Sequence, residues 1–95
     1  MARLIWTHRA LDDLEHLLAY IEQDAPLAAR RLAQKIVARV ESLQENPHLG
    51  GYVLEDETHT YREILQGNYR LIDRVDGDVI YLITIYHAAR LLDLE

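Results

Sequence analysis

The residues able to do chemistry are few, and their types set limits. One carboxylate, Glu63, two guanidiniums, Arg70 and Arg74, and one imidazole, His87, fall in the C-terminal third at spacings that neighbouring strands can gather onto one face. An imidazole near its ordinary pKa donates or accepts a proton at neutral pH, and a guanidinium pairs with a carboxylate or another oxyanion. Cysteine is absent, which excludes disulfides, thiolate-held metal centres and thiol catalysis. His8, His16, His48 and His59 keep no metal-ligand spacing. His8 and His16 would stand two helical turns apart, too far to share an ion simply. These four read as surface residues, and neither metal nor cofactor is expected.

Ninety-five residues, read as one domain spanning 1–95, must position those groups. Hydrophobic residues are 49% and charged residues 27%, a composition that folds. Ten Lys+Arg against sixteen Asp+Glu give a net charge of −6, with a pI near 5.3. That balance argues against a general nucleic-acid binder, although a local basic face survives it. No apolar run approaches the roughly eighteen residues of a membrane span. Met1-Ala2-Arg3 opens directly into structure, so a cytoplasmic location is expected. Leu94 and Glu95 can be vector-derived and carry no weight.

Residues 3–7 read as a short strand, with Thr7 capping a helix whose apolar stripe is Leu11, Leu14, Leu17, Leu18 and Ile21. Asp24-Ala25-Pro26 ends it and opens a second helix, because proline suits a first helical turn. There Ala29, Leu32, Ala33, Ile36, Val37, Val40 and Leu43 keep the 3.6 period until Asn46-Pro47. Arg30, Arg31, Lys35 and Arg39 lie on its other side, either a solvated face or a target-binding surface. So short a link makes the two helices an antiparallel hairpin. Residues 48–60 read as an exposed loop, followed by strands at 61–66, 69–75 and 78–87.

Two-residue turns at Gly67-Asn68 and Asp76-Gly77 fix an expected register. The first pairs Glu63 with Ile72 and Arg62 with Asp73; the second pairs Ile72 with Tyr81 and Arg70 with Ile83. One face then carries Tyr61, Glu63, Leu65, Arg70, Ile72, Arg74, Val79, Tyr81, Ile83, Ile85 and His87. The other carries Arg62, Ile64, Tyr69, Leu71, Asp73, Ile80, Leu82, Thr84 and Tyr86, and goes to the helices with Arg62–Asp73 as an ion pair. The first face is too apolar to stand open in water. Either the chain's own segments 48–60 and 88–95 cover it, or a protein partner does.

Strand, helical hairpin, then three antiparallel strands resembles the RelE/ParE toxin superfamily of type II toxin–antitoxin systems. The resemblance rests on Asn46-Pro47-His48-Leu49-Gly50, Tyr61-Arg62-Glu63-Ile64, Gly67-Asn68-Tyr69-Arg70-Leu71-Ile72, Arg74-Val75-Asp76-Gly77-Asp78 and Tyr86-His87-Ala88-Ala89-Arg90. It implies an α+β fold of order β-α-α-β-β-β, with the first strand at a sheet edge and the hairpin on one face. Asp73 departs from it, standing where the family commonly places an aromatic residue.

The resemblance implies two chemistries. RelE-like members cut messenger RNA on the ribosome without a metal, which here would need Glu63 as base, Arg70 on the phosphate and His87 as acid. ParE-like members bind DNA gyrase and trap its cleaved-DNA complex, which needs no catalytic set. The only lysine, Lys35, lies on the second helix, Glu55-Asp56-Glu57 stands where an interferase would place basic residues, and a chain of −6 is repelled by ribosomal RNA. The ParE-like reading is therefore preferred, with no catalytic residues; the alternatives are the nuclease and a degenerate member that only binds antitoxin. The expected partners are a cognate antitoxin, in a possible hetero-oligomer, and gyrase rather than the ribosome. The expected contact residues are Arg70, Ile72, Arg74, Tyr81, Ile83, His87 and Arg90.

Overall fold

The computed structural model describes residues 1–89. Their order is β1 (Arg3–Trp6), α1 (His8–Glu22), α2 (Pro26–Glu41), a 3₁₀ turn (Ser42–Gln44), β2 (Gly51–Tyr52), β3 (Arg62–Gln66), β4 (Tyr69–Asp76) and β5 (Val79–His87). The sheet runs β1-β5-β4-β3-β2, with β1 parallel to β5 and the other pairs antiparallel. This is the expected α+β arrangement, extended by the two-residue β2 inside the expected loop.

The expected helix starts hold for simple reasons, whereas α2 ends at Glu41 and passes into the 3₁₀ turn before Asn46-Pro47 is reached. Thr7 Oγ1 accepts the Ala10 amide at 3.2 Å and so caps α1, while Pro26 opens α2. The helices bury one side on the sheet. Ile36, Val40 and Leu43 meet Ile64, Leu71, Ile80 and Leu82, all at 0–2% exposure. Each such aliphatic side chain contributes about 1.5–3 kcal/mol of burial. On α1 the buried line passes through Ala10, Leu14 and Leu17, whereas Leu11 is 47% exposed. The small Ala10 lets the helix start lie close to the sheet, which turns the expected stripe partly outward.

The β3–β4 register is as expected, including Glu63 opposite Ile72 and Arg62 opposite Asp73. The β4–β5 register is not. Asp76 pairs with Val79, so the turn residues are Gly77 and Asp78, and Arg74 rather than Ile72 faces Tyr81. Gly77 has φ +62 while Asp78 is not left-handed. That is the pattern of a type II′ turn with glycine first, as at Gly67. Further along, Asp73 faces Leu82 but Ile72 faces Thr84, so Ile83 is an extra residue in a β-bulge.

The bulge is stitched to α1. Thr7 Oγ1 donates to the Leu82 and Ile83 carbonyls at 2.7 and 3.1 Å. Asp13 Oδ2 accepts the Thr84 hydroxyl and, at 3.1 Å, the Ile85 amide. Its effect is to reverse the alternation, so that Ile85 joins the helix-covered core instead of the open face. Asp13→Ala would strand a buried hydroxyl and an amide, and is expected to cost about 1–3 kcal/mol in urea denaturation. Asp13→Asn, which keeps an acceptor, is expected to lose less.

Candidate functional site

The sheet face away from the helices divides into two parts. Over β3 and β4 the chain covers itself. Val53 is 1% exposed, Ile72 0%, and the Val53 amide donates to the Tyr61 carbonyl at 3.1 Å. The segment after Val53 is shaped by Asp56. Its Oδ1 accepts the Thr58 amide and hydroxyl, and its Oδ2 accepts the amides of Thr60 at 2.8 Å and Tyr61 at 2.9 Å. Those bonds, led by the Thr58 hydroxyl, hold the Asp56 carboxyl below its ordinary pKa.

Arg70 clamps this strap to the sheet. Its fork donates to both Glu55 oxygens at 2.7 and 2.8 Å, and its Nε donates to Glu63 at 2.6 Å. The paired Glu55, ahead of the opposing cost of burial and with Glu63 adding to it, raises the guanidinium pKa, so Arg70 never loses its proton. Glu55 was not expected from sequence. It stood in an acidic triplet that reads as solvated, and only the close approach of the strap to β4 gives it a partner.

His87 lies elsewhere. With the bulge in place it pairs with Tyr69, its ring edge-on at 5.5 Å, and lines a groove of about 460 Å³ beside α1. Asp13, His16, Leu17, Tyr20 and Ile85 complete that groove. The expected face containing Glu63, Arg70 and His87 together is therefore corrected: Glu63 and Arg70 meet under the strap, and His87 faces the helical side.

The rest of the face stays open. Arg74 stacks over Tyr81 at 4.7 Å and reaches Asp76 at 3.6 Å. Ile83 is half-buried, and so is Ile5, which β1 adds beside Tyr81. Leu65, opposite Arg70, is 54% exposed. This patch offers apolar surface with an arginine at its rim, a composition suited to a protein partner. Of the expected contact residues, Arg74, Tyr81 and Ile83 belong to it. Arg70 and Ile72 lie beneath the strap, and Arg90 is outside the described residues.

The expected ion pair of Arg62 with Asp73 does not form, although the two are opposed. Arg62 turns its guanidinium to the His48 and Gly50 carbonyls at 2.8 and 3.0 Å and stacks over Tyr52. Asp73 is left fully buried, both oxygens without a hydrogen bond. Burial, partly offset by the charge on Arg62, pushes its pKa up to about 6. Gly50 makes the Arg62 contact possible. It has φ +88, and a Cβ there would meet the Glu63 carbonyl oxygen at 2.2 Å.

Among the described residues no group of three His, Asp or Glu side chains is placed to hold a metal, and no helix is long and apolar enough to cross a membrane.

Comparison with known proteins gives a consistent set of likenesses. Residues 4–92 match the model of the ParE toxin of type II toxin–antitoxin systems, parDE. The chain is 38% identical over 92 residues to Toxin RelE2 of Caulobacter vibrioides, covering 96% of this chain and all of that protein. Among solved structures, a chain of the chromosomal ParDE system of P. aeruginosa superposes with a TM-score of 0.78 at 26% identity, over 92% of this chain and 96% of that one. A chain of the RelBE2 toxin–antitoxin complex of Mycobacterium tuberculosis shares the fold, with a TM-score of 0.64 at 21% identity over 90% and 96%.

Proposed function

Because the chain belongs to the ParE toxin family of type II toxin–antitoxin systems, we propose that it acts by binding DNA gyrase and holding that enzyme on cleaved DNA. A cognate antitoxin neutralises it by covering the open part of the sheet face. The observation that carries this reading is the commitment of Arg70. Its fork and Nε are all engaged by Glu55 and Glu63, and His87 stands on the other side of the sheet. RNA cleavage needs a free cation at the phosphate and an acid beside it, and the described residues assemble neither at Glu63. A net charge of −6 adds repulsion from ribosomal RNA.

The antitoxin reading draws on the solved relatives, which are chains of toxin–antitoxin complexes. Burial there is expected to be mainly apolar, over Ile5, Leu65, Tyr81 and Ile83, with Arg74 meeting carboxylates at the rim. Contact with Arg70 or Ile72 would require the strap to move.

Purified protein mixed with gyrase and supercoiled plasmid is expected to yield linear, protein-linked DNA and to leave messenger on programmed ribosomes intact. Messenger cleavage abolished by His87→Ala would instead establish the nuclease. Expression without any growth arrest would mark a member that binds antitoxin and poisons nothing.

A further inference from the structure

The helical side of the molecule carries a chemistry that the sheet face lacks. Arg30, Arg31 and Lys35 of α2 are exposed, and among the described residues none of them makes a hydrogen bond or an ion pair. Among the described residues the other arginines, Arg3 apart, are engaged: Arg9 with Tyr86, Arg39 with Leu65, Arg62 with His48 and Gly50, Arg70 with two glutamates, and Arg74 with Asp76. α2 holds four basic residues and one acidic residue, Glu41. It is thus +3 in a chain of −6, and the remainder carries −9. Among the described residues, no carboxylate forms an ion pair with the basic side chains of this helix.

The geometry is a row. Positions 31, 35 and 39 recur every four residues, so their side chains follow one side of the helix at about 6 Å per step. The row ends in a cleft of about 360 Å³ between α2 and β3, lined by Lys35, Ala38, Arg39, Ser42 and Gln66. No carboxylate lines it. Arg39 Nε is spent on the Leu65 carbonyl at 3.3 Å, which anchors the side chain while its terminal nitrogens make no hydrogen bond among the described residues.

We propose that this row is the surface by which the toxin grips its target, with Arg31, Lys35, Arg39 and the cleft beside Gln66 taking the carboxylates of an acidic segment of gyrase. The inference deepens the gyrase reading and rests on it. A protein segment fits better than nucleic acid, because an extended polyanion also meets the −9 carried by the rest of the chain, whereas a short acidic segment meets only the row. The target fits better than the antitoxin, because the antitoxin is assigned the apolar patch on the far side of the sheet. Exposed charges of this kind act chiefly on encounter rate and its salt dependence.

The test is the triple variant Arg31→Gln/Lys35→Gln/Arg39→Gln beside the wild type. Two of its positions are exposed and none is in the core, so folding is expected to survive, with circular dichroism and urea midpoint as the control. The variant should need about tenfold more protein to trap cleaved plasmid with gyrase. Wild-type potency should fall between 50 and about 200 mM salt while the variant changes little, and both should bind antitoxin equally. Equal trapping by both proteins overturns the proposal and leaves the gyrase reading standing. Lost antitoxin binding with unchanged trapping also overturns it, as does loss of a wild-type affinity for duplex DNA alone. If the wild type arrests growth without trapping gyrase, the gyrase reading fails; the row as a target surface then stands only if the variant no longer arrests growth.

Discussion

Replacing Asp73 with asparagine is expected to stabilise the protein at neutral pH. The carboxyl is buried between β3 and β5 without a hydrogen bond, and its pKa in the fold is about 6 against 3.8 when exposed. A raised carboxyl pKa means that ionisation opposes folding. The penalty is absent below about pH 4, grows between pH 4 and 6, and is complete above that. Two units of difference correspond to on the order of 3 kcal/mol at pH 7. Asparagine keeps the shape and removes the charge, but leaves an amide of its own unsatisfied, so the net gain should be about 1–2 kcal/mol. Thermal midpoints measured from pH 4 to 8 should show the wild type weakening as pH rises and the variant nearly flat through that window. Parallel curves would mean that the carboxyl finds a partner in solution.

Arg70→Ala should have the opposite sign. It leaves Glu55 and Glu63 facing each other without their shared cation, at side-chain exposures of 30% and 22%. Breaking a buried pair costs about 3–5 kcal/mol, and partial access to water trims this to about 2–4 kcal/mol. Lysine cannot replace the fork, because its point charge does not span two carboxylates at once. Glu55→Gln should be milder. The strap over Ile72 should become sensitive to limited proteolysis between residues 54 and 60 while the global urea midpoint falls only slightly. Equal protease resistance in Glu55→Gln and wild type would show that Val53 and Asp56 hold the strap unaided. Loss of toxicity in Arg70→Ala is therefore not evidence of catalysis unless the variant is shown to be folded.

What could be read from residue order and what could not follow from the range of each interaction. Thr7, Pro26 and the apolar period of α2 act within a few residues, so the hairpin and its buried line were legible. Gly67-Asn68 fixed its register for the same reason. Gly77 misleads because Asp76-Gly77 resembles a turn with glycine second, whereas the chain uses glycine first, which moves the turn by one residue and the pairing of β4 with β5 by two. The bulge at Ile83 is held by Asp13, some seventy positions away, and its only local trace is Thr84, the one aliphatic hydroxyl in an otherwise largely apolar strand. That one insertion moves His87 to the helical side and separates it from Glu63 and Arg70. The Arg70 clamp was hidden likewise, since nothing near Glu55 announces a partner on β4.

The parallel pairing of β1 with β5 bears on when this molecule can exist at all. Arg3 to Trp6 are made long before Val79 to Leu82, their only strand neighbours among the described residues. Until β5 has been synthesised, β1 has no strand to align with, and the hairpin of helices has no completed floor. A nascent chain that lacks β5 therefore cannot close its sheet, and every surface built on that sheet comes into being together, once residues 79–87 are in place.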